Sequence, residues 1–385
     1  MTDFIPFSAP DIGEEEVDAV ARALRSGWVT TGPEAKAFET EFGAAVGGDV
    51  EAIAVNSATA GLHLALEAMG VGPGDEVIVP TWTFTASAEV VRYLGAIPVL
   101  VDVDPATLNI ALDRVAAAIS TATRAVLVVH FAGLSVEMSR LRALIGDRRI
   151  KIIEDAAHAF PAVGGGSVIG SCEYSDAAVF SFYANKTITT GEGGMITTRD
   201  PELAARTRVM RLHGIDRDVF DRYKATKPSW AYDVIAPGFK YNMTDSAAAM
   251  GRVQLRRAFA MRDRRAEIAA RYSEAFAGLP IDRPSFGGRD DIHAWHLYVA
   301  RLSKSSPIGR DAFIAALADA GIGCSVHFIP LHKLTVWRTA AKFSLEELPA
   351  ADAAFERAVS LPLFSRLTDA QVDRIIEQVT ALTIR

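Results

Sequence analysis

Residues 51–80 read EAIAVNSATAGLHLALEAMGVGPGDEVIVP. The apolar run EAIAV ends at Asn56-Ser57, residue types that cap helices because their side chains accept backbone N–H groups. ATAGLHLALEAMG then has helical spacing, VGPGDE carries the residues of a turn, and EVIVP is a second strand. A strand, a crossover helix and another strand call for parallel pairing, with helices covering the sheet.

The same alternation extends outward. A helical stretch ending near Tyr93 precedes PVLVDVD, and an amphipathic segment at Leu112–Ile119 precedes RAVLVVH. A helix near Ser139–Ile145 precedes IKIIED, residues 150–155. DAAVFSF and GMITT continue the strand pattern, and DPELAARTRVMRL restores a helix that starts at Asp200 or Pro201. The expected fold class is α/β, with a large, mostly parallel sheet in residues 1–250. Beyond that, GRVQLRRAFAMRDRRAEIAARYSEAFAGL reads as one long linking helix, whose five-arginine section suits a solvated or subunit-facing surface. WHLYVARL and GCSVHF are predicted strands, and Arg310–Ala320 and LTDAQVDRIIEQV are predicted helices. Residues 251–385 are therefore expected to form the linking helix and a smaller α+β C-terminal domain.

Composition narrows the function classes. The chain has 385 residues, half of them hydrophobic, and a formal net charge of −7. That charge argues against general affinity for nucleic acid. No stretch has the uncharged length of a membrane helix, and the N-terminus lacks the pattern of a signal peptide. Two cysteines, Cys172 and Cys324, make no disulfide framework. A cytoplasmic location is expected.

The residues that carry chemistry lie where strands end, which is where open parallel sheets bind ligands. Asn56 to Thr59 opens a helix whose free N–H groups suit a phosphate, although the residues taken alone read better as an ordinary cap. Asp155 closes IKIIED and could cap the next turn or hold a protonated ring nitrogen. Asp155 and His158 have no third metal ligand at recognisable spacing, nor do His327 and His332, so no metal is expected. GGGSVIG, residues 164–170, lacks the following helix of a dinucleotide loop and reads as a β-turn. Lys186 follows the apolar VFSF and precedes Gly191, Gly193 and Gly194, which permit close backbone approach. A desolvated lysine loses affinity for its proton and becomes an amine nucleophile. A phosphate cradle, a ring-nitrogen acid and an imine-forming lysine together are what pyridoxal 5′-phosphate (PLP) requires.

With these residues in view, the sequence resembles the DegT/DnrJ/EryC1/StrS family of PLP-dependent nucleotide-sugar aminotransferases. The likeness runs from SGWVTTGPEAKAFE (26–39) through NSATAGLHLAL, GDEVIVPTWTFTASA, IIEDAAHA, FSFYANKTITTGEGGMITT, LHGIDRD and GFKYNMTDSAAAMGRVQL to VHFIPLH. The resemblance implies PLP fold type I, the aspartate aminotransferase-like fold. It implies that Lys186 is the catalytic Schiff-base lysine and that Asp155 keeps the pyridine nitrogen protonated, with His158 beside the ring. Phe84 matches a ring stacked on the cofactor, and Ala58, Thr59 and Ser181 match phosphate contacts. Alanine at 58 departs from a common glycine but keeps its N–H. Asn242 matches a residue reaching the phosphate of the neighbouring subunit, which implies a homodimer with shared active sites. Trp28, Thr31 and His327 are the implied substrate contacts, with a loop packed against the partner subunit as an equal reading for Trp28 and Thr31.

The implied reaction takes an amino group from L-glutamate, releasing 2-oxoglutarate, and passes it to a nucleotide-linked keto-sugar. SGWVTTGP, HGIDRD and KYNMTD look most like members that act at C4 of a 4-keto-6-deoxyhexose. Alternatives are C3 amination of a 3-keto sugar and a non-catalytic regulatory protein of the same fold. A dehydratase of this fold would have histidine in place of Lys186.

Overall fold

The computed structural model describes residues 4–216 and 232–384. Its centre is a seven-stranded sheet made of β1 (Glu51–Val55), β2 (Glu76–Pro80), β3 (Ile97–Val101), β4 (Thr123–Val129), β5 (Lys151–Asp155), β8 (Ala177–Ser181) and β9 (Gly194–Thr198). Two-residue strands β6 (Val163–Gly164) and β7 (Ser167–Val168) form a separate hairpin, the turn expected at GGGSVIG. The sheet order is β1-β9-β8-β5-β4-β2-β3, and β9 alone among these strands runs against its neighbours. The mostly parallel sheet predicted from the crossover pattern is present.

Helices cover both faces because alternate strand residues are apolar in both directions. Val77, Val79, Leu127, Ile153 and Val179 pack with α3 (Ala58–Ala68). Ile78, Val126, Val128 and Ile152 face the other way, onto α5 (Leu112–Ala118) and α6 (Met138–Ile145). On that second side Phe38 and Phe42 of α2 (Pro33–Ala45) meet Phe180 and Phe182. Asp200 caps α7 (Pro201–Met210) by accepting from the N–H groups of Glu202 and Leu203, with Pro201 in the first turn.

The linking helix α8 runs over Asp245–Ala275, beginning six residues before the predicted GRVQL start because Thr244 caps it. Thirty-one residues span about 47 Å. Val253, Ala258 and Met261 belong to packing beside the large sheet, whereas Ile268, Ala269 and Tyr272 join a separate C-terminal core. That core is built on an antiparallel sheet of β10 (Ile281–Asp282), β11 (Tyr298–Leu302) and β12 (Ala358–Leu361). Helices α9 (Arg310–Asp319) and α12 (Asp369–Thr383) pack on it, as does Ile5 from the N-terminal segment. GCSVHF is not a strand: among the described residues it makes one single bridge, Ser325 to Ser360, and the residue just before it, Ile322, makes another to Ile5. The segment is anchored by neighbours on two sides rather than paired along one. Among the described residues no helix is long and apolar enough to cross a membrane.

Gly194 shows how the close approach expected of the glycine run is used. A Cβ there would lie 2.8 Å from the backbone of Ala58, Ser57 and Phe180. Gly194→Ala therefore pushes β9 away from the start of α3, with an expected cost of about 1–3 kcal/mol. Urea denaturation of the cofactor-free protein measures it, and an unchanged midpoint would mean that the contact is slack.

Candidate active site

The pleat of β5 separates the two acids that the sequence places side by side. Glu154 faces away from α3 and bonds His130 Nε2 at 2.7 Å and the Ser175 hydroxyl. Because His130 Nδ1 accepts the Val136 N–H, its Nε2 carries the proton that Glu154 receives. Asp155 shares the parity of Ile153 and points to the α3 side. Its carboxylate accepts from the Ser87 hydroxyl at 2.9 Å and the Ala157 N–H at 3.1 Å. Ser87 in turn bonds Thr83 at 2.9 Å. Glu154 is structural, and Asp155 lines a cavity.

That cavity has a volume of about 390 Å³ and lies at the C-terminal ends of β1, β2, β4, β5 and β8. It gathers Ala58, Thr59, Phe84, Asp155, His158, Ser181, Lys186 and His327 from positions up to 269 residues apart in sequence. Ser57 caps α3 by accepting the Ala60 N–H, so the earlier N–H groups at that helix start face the cavity without intrahelical acceptors. Lys186 sits in the turn after β8. The residue borders the cavity and is partly exposed as a whole, but its ammonium is enclosed. Burial pushes that ammonium down to about 8, opposed by the Asp155 carboxylate and reinforced by the Arg265 cation. Burial also raises Asp155, so for both partners desolvation outweighs their mutual attraction.

Three imidazoles surround the amine. Nζ of Lys186 is 3.5 Å from Nε2 of His296, whose ring lies 4.3 Å from that of His158. Burial holds His158 and His296 well below the ordinary histidine range, and the Lys186 charge lowers both further. Burial and then Lys186 bring His327 to about 4. The unfolded chain binds protons at these rings from pH 6.5 downward while the folded chain does not, so stability falls as pH drops through that value. The expected slope is up to about 1.4 kcal/mol per pH unit for each histidine. Urea denaturation of the cofactor-free protein at pH 7, 6 and 5 reads it, and a flat profile would mean that the rings are hydrated.

Sequence reasoning did not single out His296 or Arg265. His296 lies in WHLYVARL, where the apolar neighbours conceal a polar member. Arg265 is buried on α8 and donates to the carbonyls of Trp295, His296 and Leu363, fixing the C-terminal segment against the large sheet. Trp28, Thr31 and Asn242 do not line this cavity. They form a cluster of their own, with Asn242 donating to the Thr31 hydroxyl at 2.6 Å and Trp28 Nε1 to the Thr31 carbonyl at 3.0 Å. His332 bonds Thr81 and Asp352 and belongs to the packing. Arg217 and Asp218 of the HGIDRD stretch lie outside the described residues.

The residues present fit PLP. Nδ1 of His158 and Oδ1 of Asn185 are buried at the cavity wall without a hydrogen-bond partner, and the α3 N-terminus opens beside Ser181. A desolvated amine, a buried carboxylate and an anion-binding helix end, set on the strand ends of a mostly parallel sheet, define a PLP-dependent enzyme of fold type I. The chain belongs to the DegT/DnrJ/EryC1/StrS aminotransferase family, whose pattern it matches over residues 10–380. It is 44% identical to the spore coat polysaccharide biosynthesis protein SpsC of Bacillus subtilis, over 98% of this chain and 96% of that protein. The structure of the sugar aminotransferase Spr1654 of Streptococcus pneumoniae in its PMP form superposes with a TM-score of 0.91 at 36% identity, covering 98% of this chain and 99% of the other. S. venezuelae DesV gives 0.89 at 33% identity over the whole of both chains. The protein is thus an aminotransferase whose cofactor is PLP.

Proposed function

We propose that this aminotransferase moves an amino group from L-glutamate to a nucleotide-linked keto-sugar, at C4 of a 4-keto-6-deoxyhexose. The observation that carries the reading is the desolvated Lys186 amine beside Asp155 at the strand ends. Likeness to sugar aminotransferases and to a polysaccharide biosynthesis protein supports the sugar as acceptor.

Lys186 would hold the cofactor covalently through Nζ, and Asp155 would keep a proton on its ring nitrogen. Ala58, Thr59 and Ser181 would bind its phosphate, and Phe84 and His158 would flank its ring. When bound, PLP supplies an electron sink for the carbanion of either substrate. As a free amine, Lys186 Nζ would accept the proton leaving the donor's α-carbon in the first stage and would deliver a proton to the sugar carbon in the second. An amine brought near 8 does both at neutral pH, because each protonation state is within reach. His296 Nε2 would orient that free amine. Testing glutamate with dTDP-, UDP- and GDP-linked 3-keto and 4-keto sugars checks the proposal. Amination of a 4-keto-6-deoxyhexose is expected, and turnover confined to 3-keto sugars would replace it with C3 chemistry.

The working unit we propose is a homodimer. Phe84 and Tyr183 line the cavity yet are 59% and 48% exposed, so one chain leaves its mouth open. Asn242, Thr31 and Trp28, away from their own cavity, would complete the partner's. Lys186→Ala and Asn242→Asp are each expected to be inactive, and an equimolar mixture to regain up to about a quarter of wild-type activity, since about half of its dimers are heterodimers and one of the two sites in each escapes both lesions. No recovery despite proven subunit exchange would place Asn242 outside the site.

A further inference from the structure

The C-terminal region contains a second hollow, a cleft of about 520 Å³ beside β10 and β11, which shares no lining residue with the active-site cavity. Arg301, Arg283, Asp282, Ser273 and Phe286 contribute to its walls. Arg301 is the unusual member. Three arginines are buried among the described residues: Arg211, Arg265 and Arg301. Arg211 is paired with the Glu39 carboxylate and the Ala54 carbonyl, and Arg265 is bonded to three carbonyls. Arg301, only 9% exposed, has a single hydrogen bond, from Nη1 to the Pro105 carbonyl, and no ion pair among the described residues. The acid opposite it in the sheet, Asp282, is engaged by Arg357 at 2.8 Å.

Asp282 and Asp104 favour the charged form of Arg301 without forming an ion pair with it, and a buried guanidinium with no carboxylate in contact is costly unless something external completes it. Burial weakens its hold on the proton, in keeping with an incomplete site. Arg283, exposed at the rim, uses one Nη1 on the Ser273 carbonyl and leaves its other donors available. Phe286 is 47% exposed and packed against Trp295 with centroids 4.7 Å apart and planes at 67°, while His293 stacks on the same indole at 3.9 Å. The phenyl ring is held in place and presents exposed surface. Two guanidinium groups suit a phosphate, a fixed aromatic suits a planar ring, and the volume far exceeds a lone inorganic anion.

We propose that the cleft between Arg283 and Arg301 binds a ring-bearing phosphate ester of nucleotide size, with the guanidinium groups on the phosphate and Phe286 against the ring. This is a site additional to the aminotransferase cavity and independent of which sugar that cavity accepts. Calorimetric titration of the holoenzyme with thymidine monophosphate, thymidine and inorganic phosphate tests it. Thymidine monophosphate is expected to show a binding event that Arg301→Met weakens about 10–100-fold, as loss of charge-assisted hydrogen bonds requires. Phe286→Ser should weaken it about 5–10-fold through lost stacking, and both variants keep wild-type turnover. Any event that survives Arg301→Met belongs to the active-site cavity, so failure of the sugar-nucleotide reading would leave the Arg301-dependent event in place. Binding unchanged in Arg301→Met, or inorganic phosphate binding as tightly as the nucleotide, overturns the proposal. Should Arg301→Met lose its native circular dichroism, the exposed Arg283→Ser variant decides the same question, with a weakening of about 10-fold expected.

Discussion

Lys186→Ala is expected to lower turnover by about 10⁴-fold or more while leaving the fold and the proposed dimer intact. Two functions would depend on that amine under the proposed function: covalent hold on PLP and proton movement at the substrate carbons, the second alone worth roughly 10²–10⁴-fold. The side chain contributes little to packing, because it borders an open cavity and among the described residues bonds only His296, at 3.5 Å. Wild-type protein should be yellow, lose that colour with borohydride and yield the cofactor attached to Lys186 on peptide mapping. Attachment at any other lysine would refute the assignment. Residual turnover within 10-fold of wild type would mean that another group moves the proton. In the cofactor-free protein, acylation of Lys186 should reach half its maximal rate near pH 8 instead of the ordinary lysine range.

Asp155→Asn should lower turnover by about 10²–10³-fold, the size of effect seen when one preorganised electrostatic partner is removed. The amide keeps the local hydrogen bonds: its oxygen accepts the Ala157 N–H, and its NH₂ can donate to Ser87, whose hydroxyl then turns to Thr83. Loss of the negative charge, and not loss of structure, is therefore what the assay reads. The same change removes the principal force sustaining the Lys186 proton. The acylation midpoint of the cofactor-free variant should fall below that of wild type. A variant with normal turnover and an unmoved midpoint would place the ring-nitrogen partner elsewhere.

The fold was legible wherever a local rule coincided with a tertiary need. The run from β1 to β2 combines a cap, a helical period and a turn, and each agrees with the parallel sheet that forms. GCSVHF was misread because its apolar alternation matches a strand, whereas its backbone partners come singly from Ile5 and Ser360. The long helix was read correctly but started late, since the cap at Thr244 precedes the apolar pattern. Among site residues, those at strand ends were visible because the α/β topology makes strand ends the binding edge. His296 and Arg265 were hidden in segments whose pattern signals only packing.

By itself, the sequence determined the elements, their parallel arrangement and the residue types at the strand ends, because these follow from short-range periodicity and capping. Tertiary structure alone decided which of Glu154 and Asp155 enters the cavity, since a one-residue change of pleat reverses the face. It also decided that the lysine loses its water. Desolvation is a property of everything packed around Nζ, including His296, 110 residues further along the chain, and no local stretch contains it.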